Sequence, residues 1–181
     1  MAYIDSGNSR VGIIELLLYK PVTGKIISEF THTLLKGPSP LSEAQREMIA
    51  TYVSHLNGCE FCYEMHKSVM EYSDANESKV LECAIYQIDS EEVTPKMKAL
   101  LKITSLIQAN ELHAMEAEIK NARTAGANDE EIHDTVLIAS AFCMFNRYVD
   151  GLGVELPKDA KSYAALGAFV AKQGYKSSLS G

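Results

Sequence analysis

Apolar residues recur along this chain at three- and four-residue spacings, and no long stretch alternates apolar with polar positions, so the pattern predicts helices and little or no sheet. The clearest case is Ile49, Tyr52, Val53 and Leu56. Ser42 stands before that run as an N-cap, with Glu43 in the first turn and Gln45 at the capping-box position. Gly37-Pro38-Ser39-Pro40 breaks the chain ahead of it, and Asn57-Gly58 ends it, both residues tolerating left-handed geometry. The same reasoning predicts helices from near Cys59 to Tyr72, Asn76 to Gln87, Thr94-Pro95 to Ala109, Leu112 to Ala125, Asn128 to Val149 and Asp159 to Lys172. Pro21 and Gly24 mark an early turn, while Gly126, Gly151 and Gly153 close later helices. Residues 1–9 and 176–181 read as loose ends. Short connections between helices of this length imply an all-α bundle. The expected organisation is a single domain, with a helical extension over 1–37, the main helical domain over 38–175 and a flexible tail over 176–181.

Composition narrows the function. The chain has 181 residues, 46% of them hydrophobic and 23% charged, enough to build a core. A net charge of −7 and a pI near 5.2, with no cluster of Lys and Arg, argue against a nucleic-acid partner. The apolar run from Ile13 to Leu18 is interrupted by Glu15, is too short to span a membrane, and lacks the flanks of a signal peptide. The expected location is therefore the cytoplasm. In that compartment a close cysteine pair is kept reduced and serves catalysis or metal binding rather than structural bridging.

Such a pair exists in Cys59-Glu60-Phe61-Cys62-Tyr63-Glu64-Met65-His66. Cys59 and Cys62 are three apart and His66 lies four beyond Cys62, so on a helix all three share a face. Side chains at these spacings stand about 5–6 Å apart at Cβ, which suits a disulfide between the cysteines and puts the imidazole within reach of Cys62. A free thiol with a pKa of ~8.5 is mostly protonated at neutral pH, and the thiolate is the nucleophile. A helix N-terminus favours the thiolate, which points to Cys59; a neighbouring imidazole does so too, which points to Cys62. Oxidation of one sulfur to sulfenic acid lets the other condense with it, and an external dithiol resets the pair. Glu47, on the preceding helix and twelve residues before Cys59, is placed to fold back and orient His66.

The stretch Leu41-Ser42-Glu43-Ala44-Gln45-Arg46-Glu47, then Ser54-His55-Leu56-Asn57-Gly58-Cys59-Glu60-Phe61-Cys62, then His66, resembles the AhpD-like (alkylhydroperoxidase D) proteins of the carboxymuconolactone decarboxylase superfamily, nearest its peroxidase-related branch. Phe145-Asn146-Arg147-Tyr148-Val149-Asp150-Gly151-Leu152-Gly153 looks like that branch as well, and the resemblance covers roughly residues 38–155. It implies an all-α fold assembling as trimers or hexamers. It also implies reduction of a small-molecule peroxide at Cys62, resolution by Cys59, and a proton relay through His66 and Glu47, with an external dithiol as reductant and neither metal nor flavin. The chain departs from the family at one place: members carry a second His just before the second Cys, and here that residue is Phe61.

Other readings stand beside this one. The pair is also compatible with plain packing, with a zinc site of Cys59, Cys62, His66 and Glu47, with a general dithiol–disulfide oxidoreductase, or with a decarboxylase-like enzyme acting on a small organic acid. Cys83 and Cys143 fall in apolar stretches and read as core, and His55 reads as a helix-end residue. Arg147 and Asp150 are spaced to pair along a helix, and Asp129-Glu130-Glu131 complements a helix N-terminus.

Overall fold

A computed structural model of the protein describes residues 2–176; the final stretch of the expected tail, 177–181, lies outside the described residues. Among the described residues there are nine α-helices and no strand: α1 (Ile13–Tyr19), α2 (Pro21–Lys36), α3 (Glu43–Leu56), α4 (Glu60–Ser73), α5 (Ala75–Tyr86), α6 (Pro95–Ala109), α7 (Met115–Thr124), α8 (Asp129–Leu152) and α9 (Ala160–Gln173), with a 3₁₀ turn at Leu112–Ala114 before α7. The fold is all-α, as the spacing of apolar residues predicts.

Cap chemistry sets the boundaries. Ser42 and Gln45 form a reciprocal capping box on α3, and Asn128 and Glu131 form a second on α8. Thr94 caps α6 and Pro95 takes its first position, where its missing N–H is no loss. Glu131 is buried and clamps Lys96 of α6 at 2.6 Å, so it does more than complement its own helix N-terminus.

Two expectations near the N-terminus need correction. Pro21 does sit at a turn, but as the first residue of α2, and Gly24 lies inside that helix with no room for a side chain against the Leu17 backbone. Residues 2–12 are pinned rather than loose. The Tyr3 N–H donates to Leu152 O, the Gly12 N–H donates to Glu155 O, and the Ser6 hydroxyl donates to the buried Glu15 carboxylate at 2.6 Å. A carboxylate taken out of water needs donors, and this segment supplies one.

The organising element is α3. Its residues 46–54 are all buried, because α2, α4, α5, α6 and α8 surround it. Its apolar stripe therefore understates its burial, and its polar residues need internal partners. Arg46 finds them in the carbonyls of Leu34 and Gly37. α4 lies between α3 and α9. Cys83 and Cys143 are half-buried at the core's margin rather than inside it, and Met144 is exposed.

Candidate active site

The site begins where α3 stops. Gly58 takes φ +70°, a left-handed turn that reverses the chain, and the Cys59 N–H donates back to Ser54 O at 3.0 Å. A network of side-chain amides, buried at Asn146 and half-buried at Asn57 and Gln108, holds this turn. Asn146 of α8 donates to the Ser54 hydroxyl at 3.1 Å and accepts from the Asn57 side chain at 2.8 Å, while Gln108 of α6 donates to Asn57 Oδ1 at 3.2 Å. Three helices thereby fix the point from which α4 starts.

Cys59 is the N-cap of α4, with extended backbone at φ −82° and ψ 96°, and Cys62 lies in the first turn. Both are free thiols and both are buried. They are not equivalent. The adjacent Cys62 thiol, burial, and the nearby carboxylate of Asp150 push the Cys59 thiol up, well above the usual thiol range. The helix end expected to favour a thiolate at Cys59 is outweighed by these surroundings.

His66 lies one turn beyond Cys62. Its Nδ1 is 2.8 Å from Glu47 Oε2, and both side chains are buried. Phe142 of α8 packs edge-on against the imidazole with ring centroids 4.7 Å apart. Tyr175, just past α9, stacks on the imidazole with ring centroids 5.7 Å apart. The Tyr175 hydroxyl donates to Glu47 Oε1 at 2.7 Å and stands 3.0 Å from His66 Nδ1. With Nδ1 committed to this cluster, Nε2 is the nitrogen left for other chemistry.

Cys62 and His66 open onto one cavity of about 60 Å³, room for a few waters or one small molecule. Its wall is almost wholly apolar, including Ile13 and Leu17 of α1, Ile27 of α2, and Phe142 and Phe145 of α8. Phe61, at the position where the resembling family has His, lines the cavity too and fills the space that a side chain at Gly12 would need. Cys59 does not line it.

The four residues singled out from the sequence thus fall around one centre, with Glu47 behind His66, His66 and Cys62 on the cavity, and Cys59 behind Cys62. No group of three or more His, Cys, Asp or Glu among the described residues has the geometry to hold a metal ion, which leaves the zinc alternative without a converging ligand set. His55 is exposed in the last turn of α3, its ring 5.5 Å from that of Tyr63. The expected Arg147–Asp150 pair is not made: Arg147 donates to its own helix at Cys143 O, 2.8 Å, and Asp150 stands by Cys59 instead. Sequence reasoning missed Tyr175, Asn146 and Asp150 as parts of the site. For Asn146 and Asp150 the signal was present, in the stretch from Phe145 to Gly153 that carries the resemblance. Tyr175 gave no such signal.

Residues 21–85 match the family model described as the carboxymuconolactone decarboxylase family. The chain is 26% identical over 115 residues to the uncharacterized protein YdfG of Bacillus subtilis (strain 168), a span covering 64% of this chain and 78% of that protein. Its fold is similar to the crystal structure of an uncharacterized peroxidase-related protein from Silicibacter sp. TM1040, with a TM-score of 0.73, 20% identity, and coverage of 84% of this chain and 78% of that one. It is also similar to an alkylhydroperoxidase AhpD core, an uncharacterized peroxidase-related protein from Ralstonia eutropha JMP134, with a TM-score of 0.72, 20% identity and the same coverage. No described helix is long and apolar enough to cross a membrane.

Proposed function

We propose that this chain, which belongs to the carboxymuconolactone decarboxylase superfamily and has its AhpD-like helical fold, is a thiol-dependent peroxidase working through a Cys59–Cys62 dithiol/disulfide cycle. The observation that carries the proposal is the shared cavity of Cys62 and His66, with Glu47 buried 2.8 Å behind the imidazole. His66 Nε2 accepts the Cys62 proton and the sulfur attacks the outer peroxide oxygen. A sulfur–oxygen bond forms, the oxygen–oxygen bond breaks, and the leaving alkoxide or hydroxide takes the proton back from His66. Cys62 is then a sulfenic acid. Cys59 attacks it, a disulfide forms, and water departs with the Cys59 proton and the sulfenic hydroxyl. An external dithiol reduces the disulfide by exchange and is itself oxidised, which balances the cycle.

The apolar wall supports a compact organic hydroperoxide as substrate rather than a highly charged one. The alternative, a decarboxylase-like enzyme on a small organic acid, asks for a cation to hold a carboxylate. His66 is the one basic residue among those lining the cavity, and it is tied to Glu47. Assembly into trimers or hexamers and a reducing, cytoplasmic location belong to the same proposal; exposed Val22 and Ile26, one turn apart on α2, offer such an assembly an apolar face.

The test follows turnover of an organic hydroperoxide with excess dithiothreitol, alongside mass-spectrometric mapping of the oxidised protein. A Cys59–Cys62 bond and loss of at least about 10³-fold in turnover for Cys62→Ser are expected, the order typical for removing a covalent nucleophile. Retained turnover in that variant overturns the assignment.

A further inference from the structure

Tyr175 enters the centre from the far end of the chain, and the way it is held bears on which nitrogen of His66 carries a proton. Gly174 ends α9 at φ +74°, with the His32 ring occupying the space a side chain would need, so the backbone turns sharply there. The Tyr175 carbonyl accepts from the buried Ser28 hydroxyl of α2 at 2.7 Å. Its ring is buried and stacks on His66. Backbone and side chain are thus both fixed, and the hydroxyl arrives between Glu47 and His66.

Three contacts must share few protons. Glu47 Oε2 is 2.8 Å from His66 Nδ1, Glu47 Oε1 is 2.7 Å from the Tyr175 oxygen, and that oxygen is 3.0 Å from Nδ1. The phenol is the weakest acid of the three and keeps its proton, because burial and the adjoining Glu47 hold it far above the usual phenol range. It donates that one hydrogen to Glu47 Oε1. If Glu47 is ionised, Nδ1 must supply the hydrogen to Oε2, and it can share it with the phenol oxygen. All three contacts are then satisfied. If Glu47 were instead protonated and donating to Nδ1, the one proton of the neutral imidazole would sit on Nε2, the nitrogen needed as base. A second donor on a buried carboxylate favours its ionised form.

We infer that Tyr175 is a positioning residue: by donating to Glu47 it keeps that carboxylate ionised, fixes His66 as the Nδ1–H tautomer, and leaves Nε2 bare to act as base. The inference rests on the peroxidase reading for its purpose but not for its geometry. The titratable and charged groups around the cluster are Glu43 and Arg46, flanking Glu47 on α3, and Cys62 on α4. His32 of α2 flanks Gly174, with Lys36 and Lys176 near it. α8 meets the cluster with the apolar ring of Phe142.

The experiment compares the full-length wild type with Tyr175→Phe, which keeps the ring and deletes the hydroxyl. Nitrogen-15 NMR of the His66 imidazole reads the tautomer. Peptide-resolved alkylation of Cys62 from pH 5 to 9 reads the base. The wild type is expected to show Nδ1–H. Tyr175→Phe is expected to shift toward Nε2–H and to alkylate Cys62 about tenfold more slowly at the acid end, the two rates converging at the alkaline end, as fits the loss of one hydrogen bond to a charged group. Ser28→Ala, which frees the Tyr175 backbone but keeps the hydroxyl, is expected to move both readouts the same way by less, and it serves as the test if Tyr175→Phe does not fold. An unchanged tautomer and an unchanged alkylation profile in the folded variant overturn the inference. The NMR readout needs no peroxide. A protein inert to peroxides whose His66 tautomer still follows Tyr175 would sink the peroxidase reading and leave this one standing.

Discussion

At the scale of single residues, the centre shows what a buried ionisable group demands. Glu47 is buried and answers with two hydrogen-bond partners, His66 and Tyr175, and Arg46 beside it answers with two carbonyls. His32 has no such answer: its Nδ1 is buried without a hydrogen-bond partner among the described residues. Burial first, then Lys176 and Lys36, lowers its pKa below the ordinary 6.5, against a smaller opposing pull from Glu43. The sign follows from linkage. The unfolded chain takes up this proton before the folded one does, so stability is intact above about 6.5 and declines as pH falls through the lower folded value. Melting temperature should therefore drop between pH 7 and 5 in the wild type and drop less in His32→Gln; identical slopes would refute the account. Cys59, Cys62, His66 and Glu47 could be read from sequence because helical spacing makes near neighbours of residues within two turns, and because one tight turn folds α3 onto α4. Tyr175 could not. It is 109 residues from His66, it follows a helix end, and nothing local distinguishes it from a solvated tail.

Helices in this bundle are legible from their caps and illegible from their faces. Ser42, Thr94 and Asn128 announce helix starts that the structure keeps to within a residue. The apolar pattern of α3, in contrast, suggests one buried stripe where nine consecutive residues are buried, since periodicity reports side-chain chemistry and not how many neighbours a helix has. The closest helix pair matters most for the site. α9 crosses α4 at Gly167, where a Cβ would come within 2.6 Å of the Ser68 backbone carbon, two residues beyond His66. Alanine there would gain up to about 1 kcal/mol of helix propensity but must push the helices apart. Overpacking of a rigid contact costs about 1–3 kcal/mol, so Gly167→Ala is expected to lower stability by roughly 1–2 kcal/mol net. A urea titration measures it. The displacement should also loosen Tyr175, which α9 carries at its end; a variant as stable as the wild type would show that the pair adjusts freely.

Across the whole molecule, the cavity gathers side chains from α1, α2, α4, α8 and α9, from Ile13 to Tyr175. Its reactive floor belongs to α4, whereas much of its wall comes from α1 and α2, on the N-terminal side of the Gly37-Pro38-Ser39-Pro40 break. On the peroxidase reading, floor and wall divide the work: thiol, imidazole and carboxylate set what reaction occurs, and α1 and α2 set what can reach it. Ile27 is a wall residue, half-buried, remote in sequence from the thiols. Trimming it should enlarge the space without touching the proton path. On the peroxidase reading, Ile27→Ala is then expected to improve kcat/KM for a bulky aryl hydroperoxide relative to hydrogen peroxide by about tenfold, the order that a few methylenes command in an apolar pocket. Steady-state rates on both peroxides, with the Cys62 alkylation profile as a control, separate the outcomes. An unchanged preference with an unchanged profile would mean that the substrate does not enter under α2, and the division between floor and wall would have to be redrawn.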